Sequence, residues 1–336
     1  MSELFIPQRR GFLIGAAASA LAGRSSDLQA QSRAPRFAVR VASNQGVENA
    51  SLQQLMVDRG FARALALDAQ IVESKTINGP MDALLAGEAD ICMVSGFVGV
   101  LPAIEQGKDL RLVGAAMLLP ALAAYTRDSA VRRVEDLAGR TVGVGGMNGL
   151  LHILALALLR KAGVDAAKVK FVNVGSNAQV LEAVAVGKVD AGLSGPAGLG
   201  LASLRVLDNG RLWRELPEYT YQPAYASVRA LREKPEALAR CLAAYTRLYR
   251  YLSGPASKAA YLDARRRAAG ETGPTEGESV WNFVQQVHPY ATQVGLTRKR
   301  IADLQALNVA VGLQARVLPF EQVVDLSPAH GARKFL

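Results

Sequence analysis

The sequence predicts an α/β protein with two doubly wound sheets that are joined by two crossover segments. Short apolar strands alternate with helical patterns through the first two-thirds of the 336-residue chain. This order is typical of mostly parallel sheets with helices on both faces. One helix-to-strand pattern also occurs twice, about one hundred residues apart, which indicates two related sheets.

The repeated pattern joins a helix end to a short buried strand. In the first copy the apolar helical run ends at Gly87, Asp90 follows three residues later, and the strand ends in Ser-Gly. In the second copy Gly187, Asp190 and another Ser-Gly pair follow in the same order. Glycine readily adopts the left-handed helix cap, and ligands of open α/β sheets bind beyond the carboxyl ends of strands. Both Ser-Gly pairs are therefore expected to face one cleft.

The first lobe is predicted to begin with strands and helices in alternation. Period-two patterns and short apolar runs indicate strands, whereas apolar positions three and four residues apart indicate helices. The predicted strands cover residues 37–42, 69–73, 90–94 and 110–115, and the predicted helices cover residues 51–66, 79–86 and 99–106.

A second set of elements is predicted to be an insertion in the first lobe. It contains a turn and strand over 134–145, a helix over 150–162, a strand over 169–174 and the second repeat copy. The extended segments 122–127 and 223–228 bracket this set and are interpreted as the crossovers. The expected division is lobe 1 over residues 36–124 and 226–336, and lobe 2 over residues 125–225. Four more helices are expected to pack on lobe 1, over residues 235–252, 257–268, 276–290 and 298–311.

Residues 1–30 are predicted to be an export signal. The pair Arg9-Arg10 precedes an apolar run and then a polar, small-residue stretch, which is the order of such signals. The apolar run is too short to span a bilayer. The arginine pair followed by x-Phe-Leu resembles the twin-arginine signal, with cleavage after Ala22 or, as we favour, after Ala30. An N-terminal amphipathic or anchor helix is the alternative.

Composition predicts an ordinary globular core without a metal or cofactor. Half of the residues are hydrophobic, and the only cysteines, Cys92 and Cys241, lie in apolar patterns. They are expected to be buried thiols and not a disulfide. The histidines lack the spacing of metal ligands; they are His152, His288 and His330.

The formal net charge of +10 suits an anionic ligand or an acidic surface, and could also suit nucleic acid. The basic residues are dispersed, and the densest cluster, residues 265–267, has no aromatic residues interleaved with it. We therefore expect no nucleic-acid partner.

A glycine-rich helix start near Asn148 is the strongest candidate for holding an anion. Gly145, Gly146 and Gly149 let backbone amides approach a ligand, and a helix N-terminus presents unpaired N–H groups with a positive dipole end. A dinucleotide fingerprint is the rival interpretation. It fails because Asn148 stands at the third glycine position and the next strand ends at Gly175 without an acidic residue.

Four runs of sequence resemble a known family: 136–144, 158–164, 171–174 and 187–192. They are similar to the type II periplasmic solute-binding proteins of ABC importers, in the NMT1/THI5-like branch of sulfonate, nitrate and taurine binders. The resemblance extends from residue 37 to about residue 230. It implies the periplasmic-binding-protein type II fold, a two-lobed clamp whose cleft is lined by the loops after parallel strands.

The resemblance also implies a function. We expect a periplasmic monomer, not an enzyme, that captures a small anionic organic solute for an ABC permease and its ATPase. The solute would be similar to sulfonate, nitrate or taurine, or an aromatic carboxylate. An enzyme similar to the pyrimidine-precursor synthases is an alternative, but those need a reactive histidine and a cysteine-rich iron site. A binding protein for a sensor or a TRAP-type carrier is another, which the sequence does not separate from the first.

Mapped by position, the resemblance places the ligand contacts on the loops after the strands and on the second crossover. Serine and asparagine at such junctions also serve as helix N-caps, which is the alternative for each of them. Apolar neighbours such as Phe97 and Met147 favour an organic ligand. The expected contacts are Ser43, Asn44, Gln45, Ser95, Gly96, Phe97, Met147, Asn148, Gly149, Ser176, Asn177, Ser194, Gly195 and Tyr225.

Overall fold

The computed structural model describes residues 36–95, 97–269 and 274–336. The predicted export signal and the predicted contact Gly96 lie outside the described residues. The strands of the described chain are β1 (Phe37–Asn44), β2 (Leu67–Ser74), β3 (Ile91–Cys92), β4 (Leu110–Met117), β5 (Ala123–Thr126), β6 (Thr141–Val144), β7 (Lys170–Asn173), β8 (Ala191–Ser194), β9 (Arg205–Arg211) and β10 (Gln222–Ser227).

The helices flank the strands and continue to the end of the chain. Their bounds in the described residues are α1 (Val47–Arg59), α2 (Gly79–Ala86), α3 (Val100–Glu105), α4 (Leu150–Lys161), α5 (Asn177–Ala185), α6 (Leu212–Glu215), α7 (Val228–Glu233), α8 (Pro235–Leu252), α9 (Lys258–Ala269), α10 (Pro274–Val287), α11 (Arg298–Ala310), α12 (Phe320–Val323) and α13 (Ser327–Ala332).

Two five-stranded sheets share one topology, in the orders β2-β1-β3-β10-β4 and β7-β6-β8-β5-β9. In the first sheet β1 runs parallel to β2 and β3, and β10 is antiparallel to its two neighbours. In the second sheet β6 runs parallel to β7 and β8, and β5 is antiparallel to its two neighbours. The predicted α/β class with two sheets is confirmed.

Each antiparallel strand carries the chain into or back from the second sheet. Two segments join the sheets, as predicted, but they lie a few residues before the predicted positions. Residues 118–122 precede β5 and residues 216–221 precede β10, because residues 123–126 and 222–227 already pair as strands. Tyr125 and Tyr225 are consequently fully buried in the middle of the two sheets.

Several predicted bounds differ from the structure. Strand β3 is shorter than predicted and covers only Ile91–Cys92, because the chain turns at once toward the space between the sheets. Strand β9 (Arg205–Arg211) is not predicted at all, and it pairs with β5. Helix α1 begins at Val47, four residues earlier than expected.

The sequence predicts that all the C-terminal helices pack on the first lobe. In the structure, they do not all pack on the first sheet. Helices α8 and α9 contact α1, and α8 also contacts β1, β2 and β4. Helix α10, however, lies against the short turn Pro196–Gly200 that follows β8. Phe283 of α10 meets Trp213 of α6 edge to face, with ring centroids 4.9 Å apart. Helix α10 also contacts α9, so it packs against elements of both halves of the fold. Within the described residues, no helix combines the length and the apolar character needed to cross a membrane.

Candidate functional site

A cavity of about 380 Å³ lies where the carboxyl ends of β1, β3, β6 and β8 meet. Residues from both sheets and from α10 line it, so the cavity is shared between the two halves of the fold. Volumes of roughly 300–1,000 Å³ are typical of small-molecule sites. Its position matches the rule that ligands of open α/β sheets bind beyond the carboxyl strand ends.

The structure brings many of the predicted contacts to this cavity. They come from both sheets, from the loops after β1, β3, β6, β7 and β8. The predicted residues on the cavity wall are Asn44, Gln45, Ser95, Phe97, Gly149, Ser176, Asn177 and Gly195.

Other predicted contacts are absent from this wall. Successive strand side chains point to opposite faces, so Ser43 points away from the cavity that Asn44 faces, and Ser194 is fully buried at the end of β8. The Ser43 hydroxyl donates to the Asn44 carbonyl at 3.1 Å, and the Ser194 hydroxyl donates to the Asn177 carbonyl at 2.8 Å. The remaining predicted residues are Met147, which is 53% exposed, Asn148, and Tyr225, which is buried beneath Phe97 with ring centroids 6.4 Å apart.

The Ser95 hydroxyl is fixed in its orientation by two donors. Its oxygen accepts the Asn44 backbone N–H at 3.1 Å and the Asn49 side-chain amide at 2.9 Å. The amide of Asn49 also donates to the Asn44 carbonyl at 2.9 Å. A hydroxyl has one hydrogen to donate, and that hydrogen is left for another acceptor. Because Ser95 is 4% exposed and lines the cavity, a ligand oxygen is the natural acceptor.

The glycine-rich loop differs from the predicted anion site in detail. Helix α4 begins at Leu150, as predicted, and its N-cap is Gly149. The Gly149 N–H donates to the Gly146 carbonyl at 2.9 Å, and the Asn148 N–H donates to His152 Nδ1 at 3.0 Å. These two predicted amides already have internal partners. The N–H groups of the first helical turn, from Leu150, have no side-chain cap and are the ones that remain for a ligand.

His152 shapes this loop from inside the second half. Asn148 has a left-handed backbone with φ 63°, which costs energy in a residue other than glycine. His152 accepts the Asn148 N–H and packs edge to face on Phe171, with ring centroids 4.7 Å apart. Burial lowers the pKa of His152 below its usual value, which favours the neutral ring that can accept this bond.

Ser176 has the N-cap role that the sequence leaves open, and it also lines the cavity. Its hydroxyl accepts the Gln179 N–H while the Gln179 side chain accepts the Ser176 N–H at 2.8 Å, a capping box at the start of α5. By contrast, α1 begins after Gly46 without a side-chain cap. The uncapped starts of α1 and α4 thus both adjoin the cavity.

Sequence reasoning missed the charged and aromatic parts of the wall. Glu48 and Lys75 are its charged residues among those described, and no arginine, cysteine or histidine lines it there. Glu48 and Asn49 were missed because the predicted helix begins after them. Apart from the predicted Phe97, the aromatic residues of the wall come from distant segments that no local pattern connects, and they are Tyr221, Phe283 and Tyr290. No cluster of three metal-binding side chains occurs in the described part of the chain.

Solved structures with the same fold include binding proteins and an enzyme. The periplasmic aliphatic sulphonate binding protein SsuA of Escherichia coli is 17% identical, with 87% of this chain and 92% of that chain covered and a TM-score of 0.70. The alkanesulfonate-binding protein SsuA of Xanthomonas axonopodis pv. citri, bound to MOPS, is 21% identical, with 88% and 98% covered and a TM-score of 0.67. The desulfurization enzyme DSZB is 16% identical, with 89% and 99% covered and a TM-score of 0.63. The two sheets and their shared cavity thus define a protein with the periplasmic-binding-protein fold.

The model of the family described as NMT1/THI5 like matches residues 55–255. The chain belongs to this family, which confirms the predicted resemblance. Comparison with curated protein sequences gives no match.

Proposed function

We propose that this protein is the solute-binding component of an ABC importer and captures a small organic anion in the cavity between its sheets. The observation that carries the proposal is the hydrogen bonding of the Ser95 hydroxyl. Its oxygen accepts two internal hydrogen bonds, so its hydrogen can be donated to a ligand in the cavity of about 380 Å³. Membership of the NMT1/THI5-like family and the fold shared with sulfonate-binding proteins support it.

An anionic group on the ligand is supported by the two uncapped helix starts. Helices α1 and α4 begin beside the cavity without side-chain caps. Their free N–H groups and positive dipole ends favour negative charge. The anion site is proposed at the first turn of α4, with Ser95 donating from the other sheet.

An organic body on the ligand is supported by the apolar walls. Phe97 and Phe283 lie on the wall with Tyr290, whose ring is stacked on Tyr249 at 4.9 Å. A bare inorganic ion would leave most of this apolar surface exposed to water. Sulfonates similar to taurine or the alkanesulfonates, and aromatic carboxylates, are the proposed ligand classes.

Location and partners follow from this role. The proposed site of action is the periplasm, which the protein would reach through the twin-arginine-type signal in residues 1–30. The proposed partners are an ABC permease and its ATPase, with the binding protein acting as a monomer. The proposed lobes remain residues 36–124 with 226–336, and residues 125–225.

The lobes are proposed to close on the ligand by hinge motion. Tyr125 and Tyr225 are held in paired strands and are unsuitable hinges, so the hinges are assigned to the joining segments 118–122 and 216–221, which lie outside the strands. Small-angle scattering with saturating ligand is expected to show a smaller radius of gyration. An unchanged radius would argue for a rigid pocket.

A thermal-shift screen followed by calorimetry tests the ligand class. The purified protein would be screened against small sulfonates, carboxylates, nitrate and pyrimidines. A ligand at one hundred times its dissociation constant adds about 2.7 kcal/mol to the free energy of unfolding. Stabilisation by pyrimidines alone, with no response to any anion, would overturn the proposal.

An enzymatic function is the second candidate, because DSZB shares the fold. The environment of the thiols argues against it. Cys92 is fully buried, and burial raises its pKa to about 12. Cys241 is also fully buried and its pKa is also raised by burial. Neither lines the cavity, so neither is placed to attack a bound molecule. Mass spectrometry of each bound ligand after incubation would reveal turnover if it occurred.

A further inference from the structure

An acidic residue stands on the wall of a cavity that is proposed to bind anions. Glu48 lies in the first turn of α1 and lines the cavity. A carboxylate at this place would repel an anionic ligand unless its charge were balanced. Stabilisation of the helix dipole by an acid in the first turn is a simple explanation for Glu48 alone. It does not account for the residue behind it.

Behind Glu48 lies a buried arginine. Arg265 of α9 is 8% exposed, and its Nη2 is 3.5 Å from Glu48 Oε1. Its Nη1 is buried without a hydrogen-bond partner. Burying a guanidinium is costly unless an opposite charge is near, and Glu48 supplies that charge. The Glu48 side chain is 59% exposed, so the pair holds the carboxylate on the protein side and leaves the rest of it open to the cavity.

Two tyrosines lie on the wall of the same cavity as this carboxylate. Tyr221 and Tyr290 line the cavity, and Tyr221 is 7% exposed. Burial, and to a smaller degree the charge of Glu48, raises the pKa of both hydroxyls. Neither hydroxyl makes a hydrogen bond to another described residue, so both are available to a ligand.

We propose that Glu48 is a specificity-determining residue that accepts an ammonium or N–H donor of the ligand, with Arg265 as the positioning residue behind it. The inference rests on the proposed function and narrows it. The ligand is an organic anion that also carries a donor group, and is not a simple alkyl or aryl anion. The ligand donor balances Glu48 from the cavity side, as Arg265 does from the protein side.

Matched ligands separate this inference from the proposed function. Calorimetry would compare taurine with ethanesulfonate, and 4-(aminomethyl)benzoate with 4-methylbenzoate. Each pair shares its acid and differs by an amino group. In at least one pair, the amino member is expected to bind at least tenfold more tightly, about 1.4 kcal/mol.

The variant Glu48→Gln is expected to reduce that preference to within twofold, because a neutral amide attracts an ammonium group less strongly than a carboxylate does. It should leave the affinity for the member without the amino group unchanged or increased. Glu182→Gln, at an exposed site on α5, is the matched control and should change neither affinity.

The variants of Arg265 test its positioning role. Arg265→Met leaves Glu48 without its internal partner and is expected to weaken binding of both members of a pair, whereas Arg265→Lys should retain most of the preference. The double variant Glu48→Gln with Arg265→Met should recover binding of the member without the amino group. Circular dichroism and urea unfolding verify the fold of each variant.

The outcomes are distinct. Binding of anions without any preference for the amino members, or a preference that survives Glu48→Gln, would overturn this inference and leave the proposed function standing. Failure of every anion in the broader screen to bind would overturn the proposed function and this inference with it.

Discussion

The two copies of the repeat build the same backbone joint. Helix α2 ends at Ala86 and is capped by Gly87 with φ 79°, and α5 is followed by Gly187 with φ 76°. Asp90 follows the first glycine and Asp190 the second, each immediately before a strand of its sheet. In both copies the aspartate N–H donates to a carbonyl of the first parallel strand, at 2.9 Å and 3.0 Å.

In both copies the aspartate carboxylate also accepts the backbone N–H of the same strand residue. Asp90 accepts the Arg40 backbone N–H at 2.8 Å, and Asp190 accepts the Thr141 backbone N–H at 2.7 Å. A two-way bridge therefore ties each repeat to the neighbouring strand. The Gly-x-x-Asp spacing recognisable in the sequence thus corresponds to a structural element, and it serves the sheet and not the ligand.

The copies differ in what surrounds the carboxylate. The side chain of Asp90 is 1% exposed and pairs with Arg40 at 3.0 Å and Lys234 at 2.7 Å. The side chain of Asp190 is 33% exposed, pairs with the partly exposed Arg140 at 3.6 Å and accepts the Thr141 hydroxyl at 2.6 Å. A buried carboxylate needs full charge compensation, whereas a partly solvated one does not. The same backbone bridge therefore tolerates two different electrostatic settings.

The largest expected effect is the loss of stability on substituting Asp90, compared with the loss on substituting Asp190. Asp90→Ala leaves two cations without their shared acid and is expected to lower the free energy of unfolding by about 3 kcal/mol. This is the lower end of the range for a broken buried pair, because Arg40 and Lys234 are 33% and 30% exposed. Asp190→Ala removes hydrogen bonds and a solvent-exposed ion pair to Arg140, which contributes little, and is expected to cost about 1–2 kcal/mol. Urea unfolding measures both, and equal losses would contradict the distinction.

The next effect compares the serines that end the two copies. Ser95→Ala removes the hydroxyl that is oriented toward the cavity and is expected to weaken ligand binding about tenfold, or about 1.4 kcal/mol. Ser194→Ala is the matched control. Its hydroxyl donates to the Asn177 carbonyl, so affinity should change less than about twofold. Calorimetry with the best ligand of the screen decides it, and an equal loss in both variants would remove the special role of Ser95.

Acid sensitivity offers a further comparison. Burial opposes ionisation of Asp90, but hydrogen bonds from Arg40 and Lys234 outweigh it, so its pKa lies below the usual value. Hydrogen bonds from the side chain and backbone of Thr141 lower the pKa of Asp190. A lowered pKa contributes stability above the unfolded value, about 3.9, and that stability is lost as the pH falls through the folded value.

The corresponding variants should flatten this acid dependence. Urea unfolding at several pH values below about 5 is expected to show a steep loss in the parent protein and a shallower loss in Asp90→Asn and in Asp190→Asn. Each variant reports on its own aspartate. An unchanged slope in either one would show that the corresponding group does not contribute.

The fold was largely predictable because local patterns agree with it. The predicted bounds of α2 and α8 match the observed bounds, because Gly87 and Pro235 mark them in the sequence. Strand β9 was not predictable, because its Asp-Asn-Gly sequence is typical of a turn. Pairing with β5 overrides that local preference.

The site was less predictable than the fold. The positions of the strand ends correctly predicted where the cavity lies. A shift of one residue along a strand, however, moves a side chain to the opposite face of the sheet. That is why Ser43 lies away from the cavity wall while Asn44 lies on it. Tyr290 and Phe283 come from the C-terminal part of the chain, and their place depends on the packing of α10. Periodicity within one segment contains no information about such packing.

The smallest expected effect is the difference in stability between alanine substitutions at Gly87 and at Gly187. Both have left-handed backbones, so alanine at either position is strained by about 1–2 kcal/mol. A Cβ at Gly87 would lie 2.6 Å from Arg229 Nη1, whereas a Cβ at Gly187 would lie 3.2 Å from Arg127 Nη1. Arg229 donates to the Gly87 carbonyl at 2.9 Å and must move to admit the methyl group. Arg127 donates to the Ala185 carbonyl at 3.0 Å and needs to shift by only a few tenths of an ångström, so it can keep its bond.

Gly87→Ala is therefore expected to cost more than Gly187→Ala, by about 0.5–1 kcal/mol, roughly the net value of one hydrogen bond. Urea unfolding of both variants provides the comparison, and a larger loss for Gly187→Ala would contradict it. A second measurement identifies the cause. In a background that carries Arg229→Met, the bond is already absent and the collision is relieved, so the two glycine substitutions should cost nearly the same.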